Sequence, residues 1–212
     1  MEIGLKDTWV RLCSRYTGDS LLIAGYLKEI EDNYGHEKRY YHNLRHIENL
    51  IQQLYRAKAL ISNEDALVFA AFYHDLIYDT TRSDNEEKSA AIARGRLQKL
   101  NVPEHTINTC DACILATRMH TRTDETDCNI FTDADLSILG APMPVYKAYA
   151  KQIRMEYSAV PDELYRDGRK NVLERILQME AIFKTPFFRE ELETEARKNI
   201  RNEIEFPYLS EF

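Results

Sequence analysis

Apolar residues recur along this chain at the three- and four-residue spacing of α-helices, and no stretch sustains the period-two alternation of a strand. Leu5, Trp9 and Leu12 predict a short amphipathic helix over residues 5–16. Gly18 and Asp19 break it and cap a second, whose face is Leu22, Ile23, Tyr26, Leu27 and Ile30 and which Gly35 ends. After the polar connector HEKRYY, the segment YHNLRHIENLIQQLYRAKALI predicts a third helix with Leu44, Ile47, Leu50, Ile51 and Leu54 inward. Ser62 or Asn63 caps the fourth, in which Ala66 to Tyr73 is apolar on every side and Leu76, Ile77 and Tyr78 continue the run. Asp84 is placed to cap a helix carrying Ala90, Ala91, Ile92 and Leu97, and Val102-Pro103-Glu104 opens another that runs to about Arg118. A polar loop, HTRTDETDCN, leads into a short helix, FTDADLSILG, closed by Gly140. Pro142 and Pro144, Pro161, and Pro186 open three last helices, to about Val160, Phe183 and Glu205. The expected fold is all-α, with eight to ten helices in a single domain over residues 1–212. Its core spans about 38–140, and the helices of 142–205 pack on it.

Composition agrees. A chain of 212 residues is long enough to bury a sizeable core, and 44% hydrophobic with 30% charged residues is ordinary for a globular protein. Only 7 Gly and 6 Pro argue for few turns, and therefore for helices over many short strands. A net charge of -7 disfavours binding along a nucleic-acid backbone, so no stable nucleic-acid partner is expected. No apolar run reaches the length of a membrane span, and MEIGLKDTWV does not have the form of a signal peptide; a cytoplasmic protein with no membrane partner is expected, its oligomeric state open. Cys110 and Cys113 form a CxxC, but no second Cys or Cys-His pair completes a tetrahedral zinc site, so Cys13, Cys110, Cys113 and Cys128 are expected as buried free thiols.

The chemistry lies in polar residues set where apolar ones are expected. His74 and Asp75 sit side by side within the apolar fourth segment, where a carboxylate needs a strong partner to stay ionised. Capping or hydrogen bonding to nearby backbone is the plain explanation; a metal ion is the sharper one, because one cation satisfies a neutral imidazole and a carboxylate together. His42 and His46 are four residues apart, so on a helix they share a face, and Leu50 and Leu54 continue the stripe from His46 inward. Asp133 and Asp135 occupy the otherwise apolar short segment around Phe131; an N-cap role accounts for Asp133 more easily than for Asp135.

The order His, then His-Asp, then a distant Asp resembles the HD superfamily of metal-dependent phosphohydrolases. Tyr41-His42-Asn43-Leu44-Arg45-His46 is similar to the YHNxxH segment of the cyclic-nucleotide phosphodiesterases in that superfamily, and Ala134-Asp135-Leu136-Ser137 to their ADLS segment. With NEExSA after the HD pair, TRMH before DADLSILG and a late IRxEY, the arrangement over about 38–205 looks most like a bacterial group of predicted HD phosphohydrolases. The resemblance implies an HD-type helical bundle in which His46, His74, Asp75 and Asp135 bind a divalent metal and His42 is the acid that protonates the leaving oxygen. The chain is much shorter than a cyclic-nucleotide phosphodiesterase catalytic domain, so the likeness speaks to the metal chemistry and leaves the substrate open.

Mixed imidazole and carboxylate ligands suit Mn, Fe, Co, Ni, Zn or Mg. Such an ion acidifies water toward a pKa of about 7. A second metal bridged by Asp75 would draw on His120 as an added ligand, with Asp79 a weaker candidate; Asp79 can instead act catalytically, orienting a water or a ligand histidine. Glu86, Arg118, Arg154, Tyr157 and Arg169 are candidates for binding substrate, Arg118 for holding a phosphate through two parallel hydrogen bonds. The expected activity is metal-dependent hydrolysis of a small phosphorylated molecule, most plausibly a nucleotide. Two alternatives are a di-iron oxygenase of the HD type and a non-catalytic helical protein that binds metal or nucleotide.

Overall fold

In the computed structural model, which describes residues 4–206, the helical periodicity becomes ten α-helices, which together with two short 3-10 turns make up 71% of the described residues, with no strand among them. They are α1 (Leu5–Cys13), α2 (Ser20–Tyr34), α3 (Leu44–Arg56), α4 (Glu64–Tyr73), α5 (Asn85–Lys99), α6 (Glu104–Ala116), α7 (Thr126–Asp135), α8 (Met143–Glu156), α9 (Asp162–Gln178) and α10 (Pro186–Glu205). Short 3-10 turns occupy Lys58–Leu60 and Leu136–Gly140. None of these helices is long and apolar enough to cross a membrane. The chain divides into two compact units between Thr132 and Asp133, which falls before Gly140, the residue that closes the expected core segment.

The first unit is built around α4. Every residue from Ala66 to Tyr73 is buried, and α3, α5 and α6 pack against it. Trp9 of α1 meets the edges of Phe69, Phe72 and Tyr73 at ring distances of 6.0, 5.0 and 5.9 Å, while its indole N–H is satisfied by the Ile23 carbonyl at 2.9 Å. Asn63 caps α4, its side chain accepting from the Ala66 amide at 3.1 Å. The Asp127 carboxylate grips the two amides just ahead of that cap, Ser62 at 2.9 Å and Asn63 at 2.8 Å. The four cysteines are free and buried, as expected, and Sγ of Cys113 lies 3.3 Å from Sγ of Cys128.

In the second unit, α8 and α10 pack on the 3-10 turn at Leu136–Gly140, and α9 packs on α10. Gly140 permits the closest approach: a Cβ there would stand 2.7 Å from Cβ and 2.9 Å from the carbonyl oxygen of Leu192, so no larger residue fits. Arg169 and Glu203 form a buried pair, Nε to Oε1 at 2.8 Å, with the Tyr146 hydroxyl donating to Oε2 at 2.5 Å. Asp133 is fully buried in the last turn of α7. It does not cap its own helix, as an N-cap role would require, but α10: it accepts from the amides of Lys184 at 2.8 Å and Thr185 at 2.7 Å and from the Thr185 hydroxyl at 2.7 Å. Burial pulls the Lys184 ammonium below the ordinary lysine range, and Asp133, 3.5 Å away, opposes that.

Several boundaries differ from the periodic pattern. The first helix stops at Cys13, the eighth at Glu156 and the ninth at Gln178, while the seventh starts at Thr126 inside the stretch expected as a loop. The third starts only at Leu44, because Asn43 takes the N-cap position with its side chain on the Arg45 amide at 2.9 Å. The fourth ends at Tyr73, so His74 and Asp75 lie in the turn beyond it. Replacing Asp133 by Ala strands two buried amides and an ammonium and should cost about 3 kcal/mol. The expected readout is a lower urea midpoint at unchanged slope; an unchanged midpoint would remove Asp133 from this role.

Candidate metal centre

The break after Tyr73 has an account for each backbone group. The His74 amide still reaches the Ala70 carbonyl at 2.8 Å, but the Asp75 amide donates to the Tyr34 hydroxyl at 3.1 Å and the Ile77 amide to Oγ of Ser89 at 3.0 Å. The carbonyls of the turn go to one side chain. Arg39 donates through Nη1 to the Asp75 carbonyl at 2.6 Å and through Nη2 to that of Leu76 at 2.9 Å. It also reaches the His42 carbonyl at 3.2 Å, so a single guanidinium ties the His42 segment to the His74-Asp75 turn. The rings of Tyr34 and Tyr78 cover that guanidinium at 4.8 and 5.4 Å. No sequence signal singled out Arg39, since it lay inside the polar connector.

Held this way, three side chains converge. Nε2 of His46 lies 3.0 Å from Nε2 of His74, which lies 3.0 Å from Oδ2 of Asp75; the third side, His46 to Asp75, is 3.9 Å. Both histidines are buried and Asp75 is mostly so. His46 projects from the first turn of α3 and packs under Tyr41 at 5.0 Å, and His74 is met edge-on by Phe131 at 5.9 Å. His42 precedes α3 and does not share its face, yet its Nε2 stands 3.9 Å from Oδ2 of Asp75, with its ring against Tyr78 at 4.4 Å.

Nδ1 of His74 faces the Ala71 carbonyl at 3.1 Å, an acceptor only, so Nδ1 carries a proton and Nε2 of the neutral ring is left as an acceptor. That nitrogen faces a second imidazole nitrogen and a carboxylate oxygen. A hydrogen bond donated by His46 satisfies it, and so would a metal ion among the three atoms. The point equidistant from the three atoms is about 2.0 Å from each, the length of a metal bond to imidazole or carboxylate, about 2.0–2.2 Å. The group His46, His74 and Asp75 can therefore hold a metal ion. Burial raises the Asp75 carboxyl, but the imidazoles of His74, His42 and His46 beside it outweigh that and hold the group ionised, well below the usual carboxylate range.

The remaining candidates fall outside that group of three. Asp135 is the last residue of α7 and falls in the second unit. Asp79 is exposed and closes its own turn, Oδ1 accepting from the Thr81 amide at 2.9 Å and its hydroxyl at 2.7 Å. His120, half-buried, holds the left-handed backbone position after α6 at φ 51°, its amide on the Ala116 carbonyl at 2.9 Å. Glu86 lies in the first turn of α5, and Arg118 is ion-paired with its neighbour Glu87. In the second unit Arg154 ties down the α8–α9 connection, donating to the carbonyls of Tyr157 at 2.7 Å and Val160 at 3.2 Å and pairing with Asp162. Tyr157 follows α8 with its ring 5.7 Å from Tyr165, and Arg169 is taken up by Glu203. No family model matches the chain, and no curated protein or solved structure matches it.

Arg39 touches none of the three ligand atoms, yet it fixes the backbone carrying Asp75 and His42. Its replacement by Ala should weaken binding of Mn or Co ions by about 10–100-fold, the usual penalty for losing an orienting group, while far-ultraviolet circular dichroism stays unchanged. Equal affinities in the two proteins would show that the turn holds its shape unaided.

Proposed function

We propose that the protein is a metal-dependent phosphohydrolase of the HD type, acting on a small phosphorylated molecule, most plausibly a nucleotide. The observation that carries this reading is the placement of Nε2 of His46, Nε2 of His74 and Oδ2 of Asp75 around one point about 2.0 Å from each. The resemblance of the YHNLRH and ADLS segments to HD phosphodiesterases supports the reaction class.

In this reading His46, His74 and Asp75 hold a divalent ion, which supplies Lewis acidity toward a phosphoryl oxygen. Apolar walls from α4 and Phe131 limit water around the group. His74 keeps its proton at Nδ1, engaged with Ala71, and so stays a fixed donor of its Nε2 lone pair. His42, partly open to solvent and 3.9 Å from Asp75, is stabilised as imidazolium by that carboxylate and gives its Nε2 proton to the leaving oxygen. The di-iron alternative needs Asp79 or His120 as an added ligand, and among the described residues neither joins the group that His46, His74 and Asp75 form.

Released phosphate from a panel of nucleotides and phosphoesters, each with Mn, Fe, Co, Ni, Zn or Mg, tests the activity. His46→Ala with Asp75→Ala should lose bound metal and all turnover. His42→Ala should keep its metal and lose about 10²–10⁴-fold in turnover, the range for a missing general acid. Full metal content in the ligand variant would sink the site, and full turnover in His42→Ala would remove that residue from its role.

A further inference from the structure

At the other end of α4 the first unit contains a cavity of about 330 Å³, inside the size range of small-molecule sites. Its floor is apolar, from Leu12 and Val68, with Tyr55 beside them, and Arg11, Arg15 and Lys58 supply three cationic groups around it. We propose that this cavity is a second binding site, for a small phosphomonoester carrying a flat apolar body.

The charges argue for an anion. Two carboxylates, Glu64 and Asp65, also line the space, but both are engaged. Asp65 accepts from Arg15 at one oxygen and from the Tyr16 hydroxyl, at 2.5 Å, at the other; Glu64 is paired with Lys58 at 2.8 Å. Arg15 commits only Nη1 to that pair, so the rest of its guanidinium fork is available. Arg11, one turn earlier on α1, makes no hydrogen bond or ion pair among the described residues. The cavity thus presents an excess of guanidinium donors in a chain whose net charge is -7. The Arg11 guanidinium and the uncommitted side of Arg15 match a phosphate, which accepts paired hydrogen bonds from arginine. Leu12, Val68 and the ring of Tyr55 suit a flat apolar body, which gives the ligand its second part.

The site is separate from the metal centre. Asp65 lies in the first turn of α4 and His74 just past its end, nine residues and so about 13 Å along the helix axis. A ligand here is therefore distinguishable from a substrate at the metal, whatever reaction the metal supports.

Calorimetric titration of the full chain with adenosine 5′-monophosphate and with inorganic phosphate tests the proposal. The nucleotide should bind at least about tenfold more tightly than inorganic phosphate, with excess metal chelator present to silence the metal centre. Arg11→Ala, which breaks no internal pair, should weaken binding about tenfold, and Arg11→Ala with Arg15→Ala further still, with thermal melts showing both folded. Three results would each overturn it: no binding up to about 10 mM under chelator, a nucleotide no tighter than phosphate, or unchanged affinity in the arginine variants.

Discussion

Two imidazole nitrogens and a carboxylate oxygen stand 3.0 to 3.9 Å apart among apolar walls, and at that spacing they need a shared proton or an ion between them. Much of the first unit serves to hold that arrangement. The helix carrying His74 is interrupted so that Asp75 can turn back toward the two histidines. Several backbone groups freed by the interruption are satisfied by residues distant in sequence: the Asp75 amide by Tyr34, the Ile77 amide by Ser89, and the Asp75 and Leu76 carbonyls by Arg39. The Ala71 carbonyl fixes which nitrogen of His74 bears the proton. A local rule of helix geometry is broken, and the surrounding hydrogen bonds compensate for it.

Helix existence was legible from periodicity alone, since apolar faces such as Ile47, Leu50, Ile51 and Leu54 leave little choice of which side turns inward. The ends were less so. Asn43 carried a usable capping signal that would have put His42 outside α3. The end of α4 carried none: Leu76, Ile77 and Tyr78 continue its apolar run, and only tertiary partners divert the chain. The nearness of His42 to Asp75 was anticipated, but through a shared helix face; it arises instead through the turn before α3 and the reach of Arg39.

Charged residues were the hardest to place. Arg154 and Arg169 were read as pocket candidates, yet one fastens a helix connection through backbone carbonyls and the other lies buried against Glu203. An arginine looks the same in sequence whether its five donors face a ligand, a carbonyl or water. The same difficulty hid Arg39, whose three carbonyl partners come from two separate segments. Asp133 illustrates it for an acid: its partners, Lys184 and Thr185, are about fifty residues away.

The all-round burial of α4 has a consequence for assembly. Trp9, Phe69, Phe72 and Tyr73 secure that helix by apolar contact, before any ligand atom is counted. Small zinc domains, by contrast, draw most of their folding energy from the ion and come apart without it. Here the ordering cost of the ligand triangle is met by the core as the chain folds. An ion held by that triangle would bind an already formed protein, adding stability in proportion to the logarithm of ion concentration above its dissociation constant. Folding would then not depend on loading, and the two would be separable steps.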